Sequence, residues 1–426
     1  MSAPHIPALT NEALAQRVMR RCDELAECTE EPGRITRRFM TEAMRSAQHR
    51  LGGWMRDAGL SVTRDHAGNL IGRRDPGAGD QRLLVGSHID TVPGAGRYDG
   101  VLGVLIGVAV AESLGSQPLP IGLDVLAFSE EEGVRFSKPY LGSSAVAGCF
   151  APEWLDRRDD KDGSLRDALR TFGCDPARLE DAAYDPEQVI GYVEPHLEQG
   201  PVLERADSPV GVVSGIVGQS RLRIEFLGES GHAGTTPMAG RRDALLTASR
   251  FVVAVRDTAE SCEGLHATAG RMEITPNAPN VIPERVELSL DVRHPCDTDR
   301  NTAVTRLVGA GQSLAEADGC RFRVLENTAQ PAVRVDRAIT DRLAESITRC
   351  GGEPLRLSSG AGHDAVVMAK RFPSAMLFVR HPGGVSHHPD ERVEEADVAV
   401  AIRVLRDLVV RVAADAAGVQ PAEASR

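Results

Sequence analysis

The chain has 426 residues, of which 42% are hydrophobic, so its length predicts two or three domains with sizeable cores. Its 49 Lys and Arg stand against 61 Asp and Glu, which gives a formal net charge of −12. This acidic balance argues against nucleic acid or an anionic membrane surface as the main partner. No apolar run is long enough to span a bilayer.

The N-terminal segment and the cysteines predict a cytoplasmic protein. The first seven residues, M-S-A-P-H-I-P, lack the basic and then apolar layout of a secretory signal. The eight cysteines lie far apart and form no C-x-x-C pair, which fits a reducing compartment better than a disulfide framework. We expect each of them to be a small buried hydrophobic residue.

The first third of the chain alternates helical and strand patterns. A strand, a buried helix and a second strand in that order imply parallel pairing within an α/β layer. The predicted elements are helices over 11–28, with Thr10 as a possible N-cap, and over 36–58, a strand over 82–87, a helix from about 100 and a strand over 121–128.

The middle of the chain has a different order, βαββαβ, which is the split unit of a ferredoxin-like sandwich. Its predicted strands cover 221–227, 268–275, 285–293 and 321–326, and its helices cover 241–260 and 299–318. We expect an inserted domain over 215–329, entered and left through hinges at 211–215 and 329–331. The remainder, 1–214 and 330–426, forms the other domain and ends in a helix over 396–414.

The predicted fold is therefore α/β, with a mixed, mainly parallel sheet and helices on both faces in the larger domain.

Polar residues follow the predicted strands of this domain. His88 and Asp90 come directly after the first strand and share one side if it continues. Asp99 precedes the buried helix, and three consecutive carboxylates, 130–132, follow the second strand and repel one another unless a cation or proton intervenes. Separately, these patterns are also typical of a polar turn, a helix N-cap and a solvated acidic loop.

Two further segments contain histidine beside acidic residues. E-P-H-L-E-Q-G contains His196, and G-V-S-H-H-P-D-E contains His387 and His388. With His88, Asp99 and the acidic triplet, this inventory suits two divalent cations that share one carboxylate. The combination is far more specific than any single motif.

The motifs together resemble the hydantoinase/carbamoylase amidases, in collinear order from about Thr36 to Arg392. This family includes N-carbamoyl-L-amino acid hydrolases, allantoate amidohydrolases and β-ureidopropionases, within a superfamily of dinuclear-metal peptidases. Peptidase branches generally place a carboxylate where His196 stands, which favours the amidase branch. The matching motifs are G-S-H-I-D-T-V-P, Y-D-G, E-E-G-V-R-F, H-L-E-Q-G, G-H-A-G-T-T-P-M, P-N-V-I-P, D-V-R-H, G-A-G-H-D-A and S-H-H-P.

The resemblance implies two metal subsites that share Asp99 as a bridging ligand. It implies Glu131 as the general base and Asp90 as the residue that orients His88. The S-H-x-P pattern selects His387 over its neighbour His388. The implied ligand sets are His88, Asp99 and His196 for one ion, and Asp99, Glu132 and His387 for the other.

The resemblance also implies substrate-binding residues and a homodimer. His232 and Asn280, on the inserted domain, would reach the active site of the other subunit, which makes this domain a lid and a dimerisation surface. Arg293 can grip a carboxylate bidentately, although a surface ion pair is its ordinary alternative. The implied substrate residues are Gln199, His232, Asn280 and Arg293, with Gln219, Gly360 and His363 as secondary candidates.

The implied activity is hydrolysis of the ureido group of N-carbamoyl-L-amino acids, with release of ammonia and carbon dioxide. Allantoate is the alternative substrate. An aminoacylase or dipeptidase of the same superfamily, and a binding protein without catalysis, are the rival functions. His and carboxylate ligands suit zinc, manganese, cobalt or nickel. The histidines expected to be incidental surface or packing residues are His5, His49, His66, His266, His294 and His381.

Overall fold

The structure is a computed structural model that describes residues 10–418. Two predictions concern residues outside this range: the absence of a signal sequence in the first seven residues, and the incidental role of His5. The chain divides into two compact units, Met1–Ser214 with Val335–Arg426 and Gly215–Arg334. Over the described part of the chain, no helix is long and apolar enough to cross a membrane.

The first unit contains most of the helices and a mixed sheet. Its helices are α1 (Asn11–Ala26), α2 (Glu42–Asp57), α3 (Val101–Leu114), α4 (Leu141–Val146), α5 (Leu165–Phe172), α6 (Val202–Arg205), α9 (Arg337–Arg349), α10 (Ala365–Met368) and α11 (Glu395–Ala416). Its strands are β1 (Ser61–Arg64), β2 (Leu70–Arg74), β3 (Arg82–His88), β4 (Gly122–Phe128), β5 (Val189–Leu197), β6 (Val210–Ile216, which continues into the second unit), β14 (Leu355–Ser359) and β15 (Ser374–Val379).

The sheet has the order β1-β2-β4-β3-β5-β15-β6, with β14 beside β6. Its central pairs, β4 with β3, β3 with β5 and β5 with β15, are parallel. Helix α3 is apolar around its whole circumference and packs against Val85 and Val125. Val85 pairs with Val193, so the next residue, Glu194, points to the opposite face of the sheet. There the side chain of Glu194 accepts a hydrogen bond from the backbone N–H of Ala365, the first residue of α10. The predicted α/β fold with a mixed sheet is therefore confirmed.

The predicted helices lie where the structure has them, with ends that differ by up to about three residues, except at the start of α2. Thr10 caps α1 and accepts a hydrogen bond from the backbone N–H of Ala13. The prediction that the second helix begins at 36 is wrong, because α2 begins at Glu42 with Thr41 as its cap. Met40 has a φ of 55°, which is outside the right-handed helical region, so the helix cannot extend back through it.

The second unit has six main elements in the order strand, helix, strand, strand, helix, strand. They are β7 (Gly218–Leu227), α7 (Ala244–Glu260), β9 (His266–Thr275), β11 (Arg285–His294), α8 (Asp297–Ala317) and β12 (Arg321–Gln330), with short strands β8 (Gly231–His232), β10 (Val281–Ile282) and β13 (Val333–Arg334). The sheet order is β12-β7-β11-β9, and all its pairs are antiparallel. Alternate residues of β7 and β11 form the apolar core of this unit together with buried residues of α7 and α8.

Three further expectations differ from the structure. The hinge expected at 211–215 is part of β6. The exit hinge is also partly strand, because β12 continues to Gln330 opposite Gln219 of β7. The expectation that every cysteine is buried is wrong for Cys149 and Cys296, which are exposed, and for Cys262 and Cys350, which are half-buried.

Candidate metal centre

Acidic and histidine side chains meet at the carboxyl ends of the central strands. His88 is the last residue of β3, the triplet 130–132 follows β4, and His196 is near the end of β5. Parallel strands place their carboxyl ends at one edge of a sheet, where α/β proteins generally bind ligands. Asp99 reaches the same edge from the loop before α3.

Two groups of side chains at this edge share Asp99. The ligand atoms within each group all lie within 4.8 Å of one another. Asp99 Oδ1 lies 3.4 Å from His196 Nε2, and Asp99 Oδ2 lies 3.1 Å from His387 Nε2. The two groups are His88, Asp99 and His196, and Asp99, Glu132 and His387.

The structure also distinguishes the two adjacent histidines. Both side chains are exposed, but Nδ1 of His388 lies 3.5 Å from the carboxylate of Asp390 on the same loop. His387, with a φ of 58°, points its ring at Asp99 instead. Of the pair, His387 is the residue that the fold brings to the carboxylates.

Unpartnered polar atoms in these groups fit divalent cations. Within residues 10–418, His196 Nε2 and Glu132 Oε1 are buried without a hydrogen-bond partner. Buried polar atoms nearly always have one, so both atoms have a free lone pair directed into the group. Imidazole nitrogen and carboxylate oxygen are ordinary ligands of divalent transition metals.

Burial and mutual repulsion set the charges of the site. Burial, followed by the charge of Asp99, raises the pKa of Glu132 to about 7. Burial also raises the pKa of Glu131 well above its ordinary value. Burial opposes ionisation of Asp99 too, but the hydrogen bond from His387 and the charge of His196 hold its pKa below the ordinary value. Several carboxylates in one buried place favour bound positive charge.

Asp90 holds the acidic loop in place. Its Oδ1 accepts a hydrogen bond of 3.0 Å from the backbone N–H of Glu131, and its Oδ2 accepts one of 3.2 Å from that of Glu132. Oδ1 also lies 3.4 Å from Nδ1 of His88. One buried carboxylate therefore fixes the acidic loop relative to the histidine at the end of β3.

Glu194 and Asp364 are buried acids near the site to which the sequence motifs assign no role. Glu194 accepts hydrogen bonds from the backbone N–H of Ala365, at 2.8 Å, and from Ser87 Oγ, at 3.2 Å. Asp364 is completely buried at the start of α10. A carboxylate within the apolar strand V-I-G-Y-V-E-P-H-L is the signal that identifies Glu194 from sequence.

Two of the three expected substrate residues of the first unit, Gln199 and His363, contact the ligand side chains. Gln199 Nε2 donates hydrogen bonds of 3.0 Å to both Asp99 Oδ1 and Ser386 Oγ. The ring of His363 packs edge-on against that of His196, with centroids 4.4 Å apart. Gly360 lies in the turn between β14 and α10.

The expected substrate residues of the second unit form two pairs. His232 in β8 and Asn280 beside β10 are exposed neighbours, and the N–H of Ala233 donates to the carbonyl of Asn280 at 2.9 Å. Gln219 and Arg293 lie opposite each other on β7 and β11. The carboxylate of Asp291 accepts hydrogen bonds from both, at 2.6 Å and 2.8 Å.

A further group of potential ligands, His294, Cys296 and Asp299, does not favour a cation. Nδ1 of His294 accepts a hydrogen bond of 2.9 Å from the N–H of Cys296, and Nε2 lies 3.0 Å from the carbonyl of Glu263. Both ring nitrogens are in use, so this histidine packs the fold, as we expect.

Comparison with known proteins places this geometry among amidases. The model of the peptidase family M20/M25/M40 matches residues 84–411. The chain is 38% identical to a probable allantoate deiminase of Oryza sativa subsp. japonica, over 97% of this chain and 92% of that protein. It is 37% identical to an N-carbamoyl-L-amino acid amidohydrolase of Geobacillus stearothermophilus, over 95% of this chain and 99% of that protein.

A solved structure gives the same result. The crystal structure of an amidase of the hydantoinase/carbamoylase family from Burkholderia multivorans superposes with a TM-score of 0.88 and 32% sequence identity. The match covers 94% of this chain and 98% of that one. Sequence and fold therefore agree over nearly the whole length.

Proposed function

The chain belongs to the peptidase family M20/M25/M40, in its hydantoinase/carbamoylase amidase branch, and we propose that it hydrolyses the ureido group of N-carbamoyl-L-amino acids. Ammonia, carbon dioxide and the free amino acid are the products. The observation that carries this proposal is the pair of ligand groups sharing Asp99, with Glu131 beside them. Allantoate is the second candidate substrate, because relatives of equal similarity are allantoate deiminases.

Two divalent cations are proposed to bind each subunit. His88, Asp99 and His196 would hold one, and Asp99, Glu132 and His387 the other. When bound, such cations lower the pKa of water and polarise the carbonyl oxygen under attack. Zinc, manganese, cobalt and nickel all suit this set of imidazole and carboxylate ligands.

Glu131 is the proposed general base. Its carboxylate lies with Glu132 and His88 in a third group of closely spaced atoms, and Asp90 fixes its backbone. Glu131 takes a proton from the attacking water and then delivers it to the departing nitrogen. A buried carboxyl group with a raised pKa suits both the acceptance and the return of the proton.

The second unit is proposed to be a ferredoxin-like lid and dimerisation domain. Its strand order and its two helices agree with that fold. His232 and Asn280 are exposed on one edge of the unit, where side chains are available to a partner subunit. There His232 would donate a hydrogen bond to the developing oxyanion, while Arg293 and Gln219 would bind the substrate carboxylate.

An ammonia-release screen tests the function. The metal-free enzyme is reloaded separately with zinc, manganese, cobalt or nickel and assayed on an N-carbamoyl-L-amino acid, allantoate and 3-ureidopropionate. We expect the highest kcat/KM on the N-carbamoyl-L-amino acid. Highest activity on allantoate would transfer the assignment to the second candidate.

The rival activities have their own readouts. An aminoacylase or dipeptidase would release amino acid from N-acetyl or dipeptide substrates and no ammonia from ureido acids. A binding protein would release neither, whatever metal is supplied. Either result would contradict the proposed amidohydrolase.

A further inference from the structure

Glu391 connects the loop that carries His387 with the loop that carries Asp99. Its side chain is 4% exposed. Its Oε1 accepts hydrogen bonds from the backbone N–H groups of Tyr98, at 2.7 Å, and of Asp99, at 3.0 Å. These two donors lie immediately before α3, where the backbone N–H groups have no partner within the helix.

The same network also reaches the side chain of Asp99. Ser386 Oγ lies 3.5 Å from Glu391 Oε2 and accepts a hydrogen bond of 3.0 Å from Gln199 Nε2. Gln199 Nε2 donates a second hydrogen bond of 3.0 Å to Asp99 Oδ1. Asp99 is therefore held at its backbone and at its carboxylate by one closed ring of contacts.

Gly96 provides the space that Glu391 occupies. A Cβ atom on Gly96 would lie 2.4 Å from Cβ and 2.5 Å from Oε1 of Glu391. Non-bonded contacts of a Cβ atom are essentially never that short, so any larger residue at 96 would displace Glu391. The glycine in P-G-A-G-R-Y-D-G and the glutamate in S-H-H-P-D-E are therefore parts of one arrangement.

This ring of hydrogen bonds orients the carboxylate of Asp99, whose two oxygens face different ligand groups. Asp99 Oδ1 faces His196, which is fixed within β5, and Asp99 Oδ2 faces His387, which lies on a loop after β15. The group around His196 has two ligands on strands, whereas the group around His387 depends on loops. Loss of this ring of hydrogen bonds should therefore disturb the ligand group around His387 far more than the group around His196.

We propose that Glu391 is a positioning residue that fixes Asp99 relative to His387. It thereby determines the affinity for the second metal ion, the one that Asp99, Glu132 and His387 would hold. This inference rests on the proposed function, because it requires both groups to bind metal. Residues that hydrogen-bond to metal ligands commonly change metal affinity 10–100-fold.

The test compares Glu391→Gln with Glu391→Met. The two replacements have nearly equal size, but only glutamine keeps an oxygen that can accept from Tyr98 and Asp99. Metal-free protein is titrated with zinc by calorimetry, and bound metal is counted by mass spectrometry. We expect E391M to bind its second zinc about 10–100-fold more weakly with the first unchanged, whereas E391Q stays within about threefold of wild type.

Steady-state kinetics add a second readout. E391M should lose kcat at limiting metal and regain most of it at high metal, with little change in KM. Asp390→Asn removes a neighbouring charge from the same loop and should bind both ions as the wild type does. If E391M does not fold, Glu391→Asp replaces it in the test. The shorter side chain moves the carboxylate away from the N–H groups of Tyr98 and Asp99, so we expect the same weakening of the second zinc.

The possible outcomes separate this inference from the proposed function. Equal weakening of both sites, no weakening, or equal defects in the glutamine and methionine variants would each overturn the role of Glu391. Wild-type protein that binds no metal and releases no ammonia would instead overturn the proposed function.

Discussion

Individual carboxylates at this site differ in what surrounds them, although the sequence presents them as one acidic run. Both Glu131 and Glu132 lie in the group with His88, but of the two only Glu132 also belongs to the group of Asp99 and His387. Glu130 turns back, and its side chain accepts the N–H of Gly133. A base and a metal ligand can therefore stand next to each other in the chain and still face different atoms.

Glu131→Gln tests the proposed base. Glutamine keeps the size of the side chain but cannot take a proton from water, so turnover should fall about 10²–10⁴-fold. Metal content and thermal stability should remain near wild type. Both enzymes are measured by ammonia release at saturating substrate.

Glu130→Gln is the matched control for that variant, since Glu130 is an adjacent buried carboxylate outside both ligand groups. It should keep most of the turnover. Near-normal activity in E131Q would show that another group accepts the proton.

Helix α3 shows how an element positions the site. Its N-cap, Gly100, directly follows Asp99, and the helix packs against the strands that carry His88 and His196. A Cβ at Gly103 would lie 1.9 Å from the carbonyl oxygen of Pro195, the residue before His196. The close approach of helix and strand therefore depends on this glycine.

Gly103→Ala should destabilise the protein, and Gly107→Ala is its matched control in the same helix. A Cβ at Gly107 meets only valine methyl groups, at 3.1 Å, which can shift slightly. Overpacking of a core costs about 1–3 kcal/mol, while alanine gains up to about 1 kcal/mol of helix propensity. We expect G103A to lower the free energy of unfolding, measured in urea, by about 2 kcal/mol more than G107A does.

That stability difference should accompany a loss of metal affinity in G103A, because Pro195 would carry His196 with it. Equal stability of the two alanine variants would show that the helix moves away from β5 without cost.

The start of α2 shows where element prediction from sequence ends. The segment before it carries Arg37, which is fully buried and donates hydrogen bonds to the carbonyls of Leu25, Cys28 and Ile89. Its side chain thus connects the end of α1 with the residue after His88. Apolar periodicity cannot reveal contacts between such distant segments, so the helix is predicted too long.

At the level of the whole molecule, the two units carry different parts of the expected site. The first unit holds both ligand groups and Glu131, and the second holds His232, Asn280, Gln219 and Arg293. The proposal that His232 acts in the partner's active site makes catalysis a property of the dimer.

Mixing two inactive variants tests this proposal. If His232 acts across the interface, a hybrid of E131Q and H232A subunits contains one complete site, built from the Glu131 of one subunit and the His232 of the other. Random reassociation makes about half of the dimers hybrid, so about a quarter of wild-type activity should return. Ammonia release is measured before and after subunit exchange.

Mixtures of E131Q with H387A are the control, because both residues belong to the same first unit and no hybrid contains a complete site. Failure of the first mixture to regain activity, with exchange verified by mass spectrometry, would place His232 in its own subunit's site.

The sequence alone determined the family, the order of elements and the identity of the residues that converge on Asp99. Ligands occur in short motifs beside strand ends, and the carboxyl ends of parallel strands must meet, so local pattern suffices for them. Only the tertiary structure decided that Gln199 and Glu391 hold Asp99, and that Asp291 binds both Gln219 and Arg293. Those contacts join residues far apart in the chain or depend on side-chain direction, and neither property appears in a linear pattern.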